Sequence, residues 1–408
     1  MALNFSTIFK RLRNRIRLEK TTVDIANHYR HFTSQNRQAE TEDISDSPAD
    51  PSKLKLVAYY LTQYHPIPEN DLHWGKGFTE WTNTSKAFPL YEGHYQPRLP
   101  ADLGHYDLRT PGLMQEQVKM AKKYGIYGFC FYYYWFDGKR LLETPLDHFL
   151  SNPSLDIKFC FCWANGNWTR KWDGSERDVI ALQRYGSESY KKIILDIIPA
   201  LKDPRYIRVD GKPVLIVYQV KEIPAPREMC TIWREQCKLA GIPELLILAS
   251  NAFDYNTPLE DGLDGIAEFA PHGLSCKTIT TSKKFFTNDF SGRVFDYGDA
   301  VRMAAEKPFP DYFYAKGLMV SWDNTARVSG SARIFDGSTP AKFQSWLQTC
   351  AEQTMRNADA SQHGLVFVNA WNEWAEGTYL EPDRHYGYAY LRACRDIVNQ
   401  YATEKAAQ

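Results

Sequence analysis

Glu373 and Glu376 stand three residues apart in the stretch VNAWNEWAEGTYLEPD (Val368–Asp383). Two carboxylates flanking a glycosidic bond can break it. One, kept protonated by apolar neighbours and by the other's charge, gives its proton to the leaving oxygen, and the other acts as base or nucleophile. Trp371 and Trp374 are the apolar surroundings expected around such a pair. In a continuous strand, residues i and i+3 point to opposite faces. The strand must therefore turn after Glu373, and Gly377 suits that turn, for both carboxylates to enter one cleft. The competing expectation is structural, with Glu376 capping the loop or pairing with Arg384.

Three more stretches have the residue types of a sugar site. In WANGNWTRKWDG (Trp163–Gly174), Trp163, Trp168 and Trp172 offer flat apolar faces, and Asn165, Asn167, Arg170 and Asp173 can pair with hydroxyls. This is the make-up of a mostly apolar ligand site with a few placed polar groups, or of a loop held by Trp packing. The long insertion His65–Pro97 is rich in Gly, Pro and aromatics, as a lid or cleft wall would be. Its members expected to face the site are His65, Trp74, Glu80 and Trp81; His73 and His94 are as well suited to structural work. Phe131–Leu142 adds Tyr134 and Trp135. No His/Asp/Glu set has metal-ligand spacing, so neither metal nor cofactor is expected.

Eight near-continuous apolar runs must position these groups: Lys55–Tyr64, Ile126–Trp135, Ile157–Asn165, Pro213–Gln219, Leu245–Asn251, Asp264–Pro271, Gly317–Asn324 and Leu365–Glu373. Such runs suit strands buried on both faces. Helical patterns separate several of them, so the chain is expected to form a single α/β domain, a (β/α)8 TIM barrel with long loops after strands 1, 3 and 6. The helix between strands five and six is poorly marked, and Gly273–Tyr314 reads as an elaborated, irregular loop. Most runs end in polar or aromatic residues, and strand C-termini in a barrel converge on the reactive face. This adds Tyr218, Asn251, Trp322, Asp323 and Asn372 as candidate binding residues, with Tyr59 inside the first run.

The 408 residues have a formal net charge of zero, which gives no field favouring nucleic acid. The eight Cys follow no C-x-x-C or zinc spacing, and no secretory core is evident. A reduced, cytoplasmic protein is the simplest expectation. Residues 1–33 read as a basic amphipathic helical segment, 34–53 as a linker and 54–408 as the catalytic barrel. Lys10, Arg11, Arg13, Arg15 and Arg17 suit residues 1–20 to an anionic surface, either a partner or the inner membrane face peripherally.

Four blocks together resemble the WbsX-like family: AYYLTQYHPIPEND with WGKGFTEWTN, YGIYGFCFYYYWFDGKRLLE, CWANGNWTRKWDG, and AWNEWAEGTYLEPD with YGYAYL. Members of that family commonly lie among genes for surface-polysaccharide assembly, and it looks related to glycoside hydrolase family 99, the endo-α-mannosidases and endo-α-mannanases. The resemblance covers Leu54–Leu391 and implies a (β/α)8 barrel. Family 99 carries an E-W-x-E motif at the eighth strand's end, here Glu373-Trp374-Ala375-Glu376. The match implies that Glu376 is the general acid/base and that Glu373 is the base assisting the substrate's own 2-hydroxyl. That route is retaining, passes through a 1,2-anhydro-sugar and needs an α-mannoside-like linkage. Two positions depart from the pattern: Ala375 replaces a His of family 99, and Gly166 replaces the Glu usual in WbsX-like sequences.

The expected function is therefore a retaining glycoside hydrolase of surface-polysaccharide (O-antigen or capsule) metabolism. The alternatives are a glycosyltransferase or transglycosylase of lipopolysaccharide biosynthesis, and a non-catalytic glycan-binding barrel. The absence of D-x-D, and of G-x-G-x-x-G after a strand, weighs against a nucleotide-sugar transferase. The expected partner is an oligo- or polysaccharide, free or lipid-linked.

Overall fold

The computed structural model of the protein describes residues 5–34, 39–42, 48–170 and 175–402. Eight parallel strands form its centre: β1 (Lys55–Tyr60), β2 (Ile126–Phe136), β3 (Lys158–Trp163), β4 (Lys212–Val217), β5 (Leu246–Ser250), β6 (Gly265–Ala267), β7 (Phe313–Met319) and β8 (Leu365–Asn369). Each pairs with its neighbour in chain order, and β1 pairs with both β2 and β8, so the sheet closes. The eight apolar runs are these eight strands, and the molecule is a (β/α)8 barrel. Tyr59 points inside it, with its ring against Tyr132, Phe269 and Phe367.

The α-helices of eight residues or more are α1 (Phe5–Thr33), α2 (Leu113–Lys123), α3 (Thr144–Ser151), α4 (Ser187–Leu201), α5 (Pro226–Leu239), α6 (Tyr297–Glu306), α7 (Pro340–Arg356) and α8 (Ala389–Gln400). Their apolar stripes lie on the barrel: α2 buries Met114, Val118 and Ala121, and α4 buries Ile193, Ile194, Ile197 and Leu201. Pro226 opens α5, and Thr339 caps α7 by accepting from the Lys342 N–H. Between β5 and β6 the described residues contain no α-helix, only a short 3₁₀ turn at Ala252–Asp254.

The long loops follow β1, β3 and β6. The last contains α6, where an irregular loop was expected. Asp296 caps α6 by accepting from the Asp299 N–H at 3.0 Å. Just before it, strand Arg293–Asp296 pairs in parallel with Arg333–Asp336, which pairs antiparallel with Trp322–Asp323. This small side sheet lies beyond the C-terminal end of β7. Among the described residues no helix is long and apolar enough to cross a membrane.

Candidate active site

After β8 the chain reverses. Asn372–Glu373 pairs antiparallel with Thr378–Tyr379 across a 3₁₀ turn, Trp374–Glu376. Gly377 closes the turn at φ 63°, and a Cβ there would meet the Asp323 carbonyl at 2.9 Å, so both conformation and space call for glycine. The turn brings Glu373 and Glu376 to one cleft. Arg327, from the short helix Thr325–Val328, stands between them. Its Nη2 donates to Glu373 at 3.0 Å, its Nη1 to Glu376, and its Nε to Glu80 at 2.6 Å. One guanidinium fork thus ties three carboxylates from three separate segments.

Glu80 is fully buried; the Glu373, Arg327 and Glu376 side chains are 5%, 12% and 20% exposed. Burial pushes Glu373 up to about 8; Arg327 opposes this, while Glu376 and Glu80 add to it. Burial also raises Glu376, again opposed by Arg327 and reinforced by Glu80. Burial works against the charge of Arg327, but Glu80, Glu376 and Glu373 outweigh it and hold the guanidinium charged. Fully ionised, the cluster would hold two net negative charges in a dry site. One proton on the Glu pair relieves this.

Among the described residues, tyrosine and phenylalanine supply five of the fourteen that line the cleft. Tyr132, Tyr134 and Phe136 come from β2, Tyr218 and Gln219 follow β4, and Phe269 follows β6. Trp168 and Asn167 line it too, with the Trp168 ring stacked on Tyr134 at 5.7 Å and 26° and on Phe136 at 6.4 Å and 17°. The Asn167 Oδ1 also accepts from the Gln183 N–H at 2.8 Å, which steadies the loop it lines. Gly166 lies at the cleft as well; a Cβ there would come within 2.8 Å of the Gln219 amide nitrogen.

Of the residues expected at the site, Tyr134, Asn167, Trp168, Tyr218, Glu373 and Glu376 meet at this cleft. Glu80 reaches it only through Arg327. The tryptophans beside the Glu pair do not line it. Trp371 packs on Phe129, and Trp374 stacks on Tyr379 at 3.7 Å and donates to Glu381 at 2.7 Å. Trp135 and Trp163 are buried; the Trp163 Nε1 donates to the Trp135 carbonyl, and its ring faces Trp233. Trp81 packs among Tyr64, Tyr106 and Trp374, and Trp74 lies over Phe78. His65 is buried against the Thr62 carbonyl.

The asparagines at the strand ends are ties between loops. Asn165 accepts from the Gln219 N–H at 2.7 Å and donates to the Gln219 carbonyl at 2.8 Å. Asn372 makes the same pair of bonds with Leu61, at 2.8 and 3.0 Å. Asn251 accepts from the Phe269 N–H at 2.6 Å. Each amide imitates a strand neighbour where the barrel ladder stops. Asp323 is fully buried and accepts from His94 at 2.8 Å, Gln96 at 2.7 Å and the Thr325 N–H at 3.0 Å. Trp322 is nearly buried opposite Phe335. Arg170 ends the short strand Trp168–Arg170, and Trp172 and Asp173 lie outside the described residues.

Sequence reasoning missed Arg327, Gln63, Tyr132, Phe136, Gln219 and Phe269. Tyr132 and Phe136 were recoverable, because they flank Tyr134 at the period of two that puts strand residues on one face. Arg327 has no local signature in SWDNTARVSG.

The family model described as Glycosyltransferase WbsX matches residues 56–394. Two relatives, each an "Uncharacterized protein WxcX" from a strain of Xanthomonas campestris pv. campestris, are 43% identical over 345 residues. The match takes in 85% of this chain and 50% of theirs, so the chain spans about half the length of these relatives. Among solved structures, a "Glycoside hydrolase-like protein" is similar at TM-score 0.53 and 14% identity, over 88% of this chain and 97% of that one. The GH99 endo-alpha-mannosidase from Bacteroides thetaiotaomicron aligns at TM-score 0.49 and 14% identity, over 85% and 97%. The first of these structures agrees with the barrel. The family match covers nearly the whole barrel, and by it the chain belongs to the family described as Glycosyltransferase WbsX.

Proposed function

We propose that the protein cleaves an α-mannoside-like linkage in a surface polysaccharide or its assembly intermediate, with retention, using Glu373, Glu376 and the substrate's 2-hydroxyl. The observation that carries this reading is the turn after β8, which presents both carboxylates to one aromatic cleft. Glu373 takes the proton of the 2-hydroxyl as that oxygen attacks the anomeric carbon. Glu376 gives its proton to the leaving oxygen, and a 1,2-anhydro-sugar forms. Glu376 then takes a proton from water as water opens the ring from the opposite face, and Glu373 returns its proton to O2. The pair begins and ends with one proton.

Burial alone favours that proton on Glu373. A 2-hydroxyl donating to Glu373 stabilises its ionised form and moves the proton to Glu376, where the first step needs it. Trp168, Tyr134 and Tyr218 supply faces and hydroxyls for the sugar.

The family description favours a second reading, glycosyl transfer. The same carboxylates serve if an acceptor hydroxyl replaces water in the second step. One experiment tests both. Purified protein is given an α-mannosyl disaccharide fluoride, with and without an acceptor oligosaccharide, and proton NMR identifies the first product. An α-configured free sugar supports retaining hydrolysis, and a new α-glycoside supports transfer. A β-configured first product sinks the mechanism. We propose a lipid-linked glycan as the natural partner, reached through contact of residues 1–20 with an anionic membrane face. Equal flotation on anionic liposomes with and without those residues would remove the membrane part.

A further inference from the structure

A second polar group lies on the rim of the same barrel face and takes no part in the carboxylate cluster. In the side sheet Arg293 stands directly opposite Arg333 on parallel strands. Paired strands run about 4.8 Å apart, and directly paired residues project to one face. Like charges directly opposite each other destabilise a sheet, and an anion held between them would relieve the repulsion. Among the described residues neither guanidinium has a carboxylate at ion-pair distance. Burial works most against the charge of Arg333 and Arg293 repels it, while Asp254, which makes no ion pair with it, and Cys276 favour it; the guanidinium lies over the Phe295 ring at 5.7 Å. The two arginines line one surface cavity with Ser291, Gly292 and Ser331. The serine hydroxyls donate at 3.3 and 3.2 Å to the carbonyls of Gly330 and Val328, bonds long enough for either hydroxyl to turn toward a ligand.

This cavity lies near the catalytic cleft, though the two share no lining residue. The charge of Arg333 is felt by His272, whose ring lies over Phe269 of the cleft wall at 5.8 Å and 21°. Arg327 precedes Arg333 by six residues, so their Cα atoms lie at most about 22 Å apart. An oligosaccharide can span that.

We propose that Arg293 and Arg333 bind a diphosphate, the linkage group of a carrier-borne glycan whose sugar end enters the cleft. Charge selects the class: a sugar carboxylate brings one negative charge to two cations, whereas a diphosphate esterified at both ends brings one on each phosphate, matching the two guanidinium groups. The anion site stands on its own geometry. Only its service to the same glycan rests on the function proposed above.

The test is calorimetric titration of the full chain with inorganic pyrophosphate at low ionic strength, where screening is weak. Saturable binding is expected, weakened at least tenfold in Arg293→Gln and in Arg333→Gln and abolished in the double variant, with thermal unfolding unchanged. Wild type that does not bind, or a double variant that binds as well as wild type, overturns the site. Glu376→Gln is expected to bind pyrophosphate like wild type, so failure of the hydrolase reading leaves this result standing. Two further titrations identify the carrier. Tighter binding of UDP than of pyrophosphate assigns a nucleotide, and tighter binding of farnesyl diphosphate assigns a lipid. Affinities equal to that of pyrophosphate for both overturn the carrier and leave the anion site.

Discussion

Arg327 donates to Glu373 at 3.0 Å through one terminal nitrogen and to Glu376 through the other. The two carboxylates proposed for the reaction therefore share one cation, anchored behind them by Glu80. The arrangement balances two opposed needs. The carboxylates must be dry enough to hold a proton at neutral pH, yet a buried carboxylate cluster without a cation would be unstable.

Arg327→Met removes that cation. About 3–5 kcal/mol of stability should be lost at pH 8, as when one partner of a buried ion pair is deleted. The loss should shrink at pH 5, where the freed carboxyls take up protons. Arg327→Lys keeps the charge but not the fork, and should lie between. Thermal unfolding of the three proteins at both pH values checks this, and an equal loss at the two would contradict the account.

The Glu roles separate by leaving group. A fluoride leaves without a proton, whereas an unactivated glycoside needs one. Glu376→Gln should lower kcat/KM on an unactivated disaccharide by about 100-fold or more, the usual weight of acid catalysis, and lower fluoride release much less. Glu373→Gln should cripple both, because the 2-hydroxyl keeps its proton. The opposite pattern would exchange the two roles.

Activity should fall above about pH 8 as the pair loses its proton, since Glu373 is pushed up to about 8. In Arg327→Lys, with a looser cation, that limb should move to higher pH. Stability follows the same sign. A carboxyl raised in the folded state binds more protons folded than unfolded, so its contribution is present at low pH and is lost as pH climbs from about 4.5 to about 8. Glu381, which burial pushes up to about 7, adds to the decline. The measurable quantity is therefore the difference between wild type and Glu373→Gln, which should be flatter from pH 5 to 8.

All eight strands were legible, because a strand buried on both faces must be apolar throughout and such runs stand out. Helix α6 was not: YGDAVRMAAE is short, and its cap, Asp296, also ends a strand whose ladder partner lies some forty positions later. The Glu pair was legible from its glycine-closed turn. Asn167 lines the cleft while Asn165, Asn251 and Asn372 tie loops, and the two kinds of amide look alike in sequence. Arg327 was invisible for a related reason: its partners, Glu80 and the Glu pair, are distant in sequence and meet only when the barrel closes.

Trp168 lines the cleft with its ring stacked on Tyr134 and Phe136. Trp168→Ala should cost the sugar about 1–1.5 kcal/mol of binding, roughly a tenfold rise in KM, with kcat within a few-fold of wild type. A fall in kcat at constant KM would place Trp168 in the chemistry instead.

Gly166 admits a sharper test of how the cleft is shaped. A Cβ there would stand 2.8 Å from the Gln219 amide nitrogen and 3.2 Å from its Cδ. What it would meet is the far end of a flexible side chain, whose backbone is fixed separately by Asn165. Gly166→Ala should therefore cost under about 1 kcal/mol of stability, since the Gln219 side chain can swing aside. Both residues line the cleft, however, so the displaced amide must enter the space a sugar would take. KM should rise in Gly166→Ala and recover in the double variant Gly166→Ala/Gln219→Ala, which removes the displaced group. If the double variant is no better than the single one, glycine is required at this position for its backbone, and the cleft is not shaped by the Gly166–Gln219 contact.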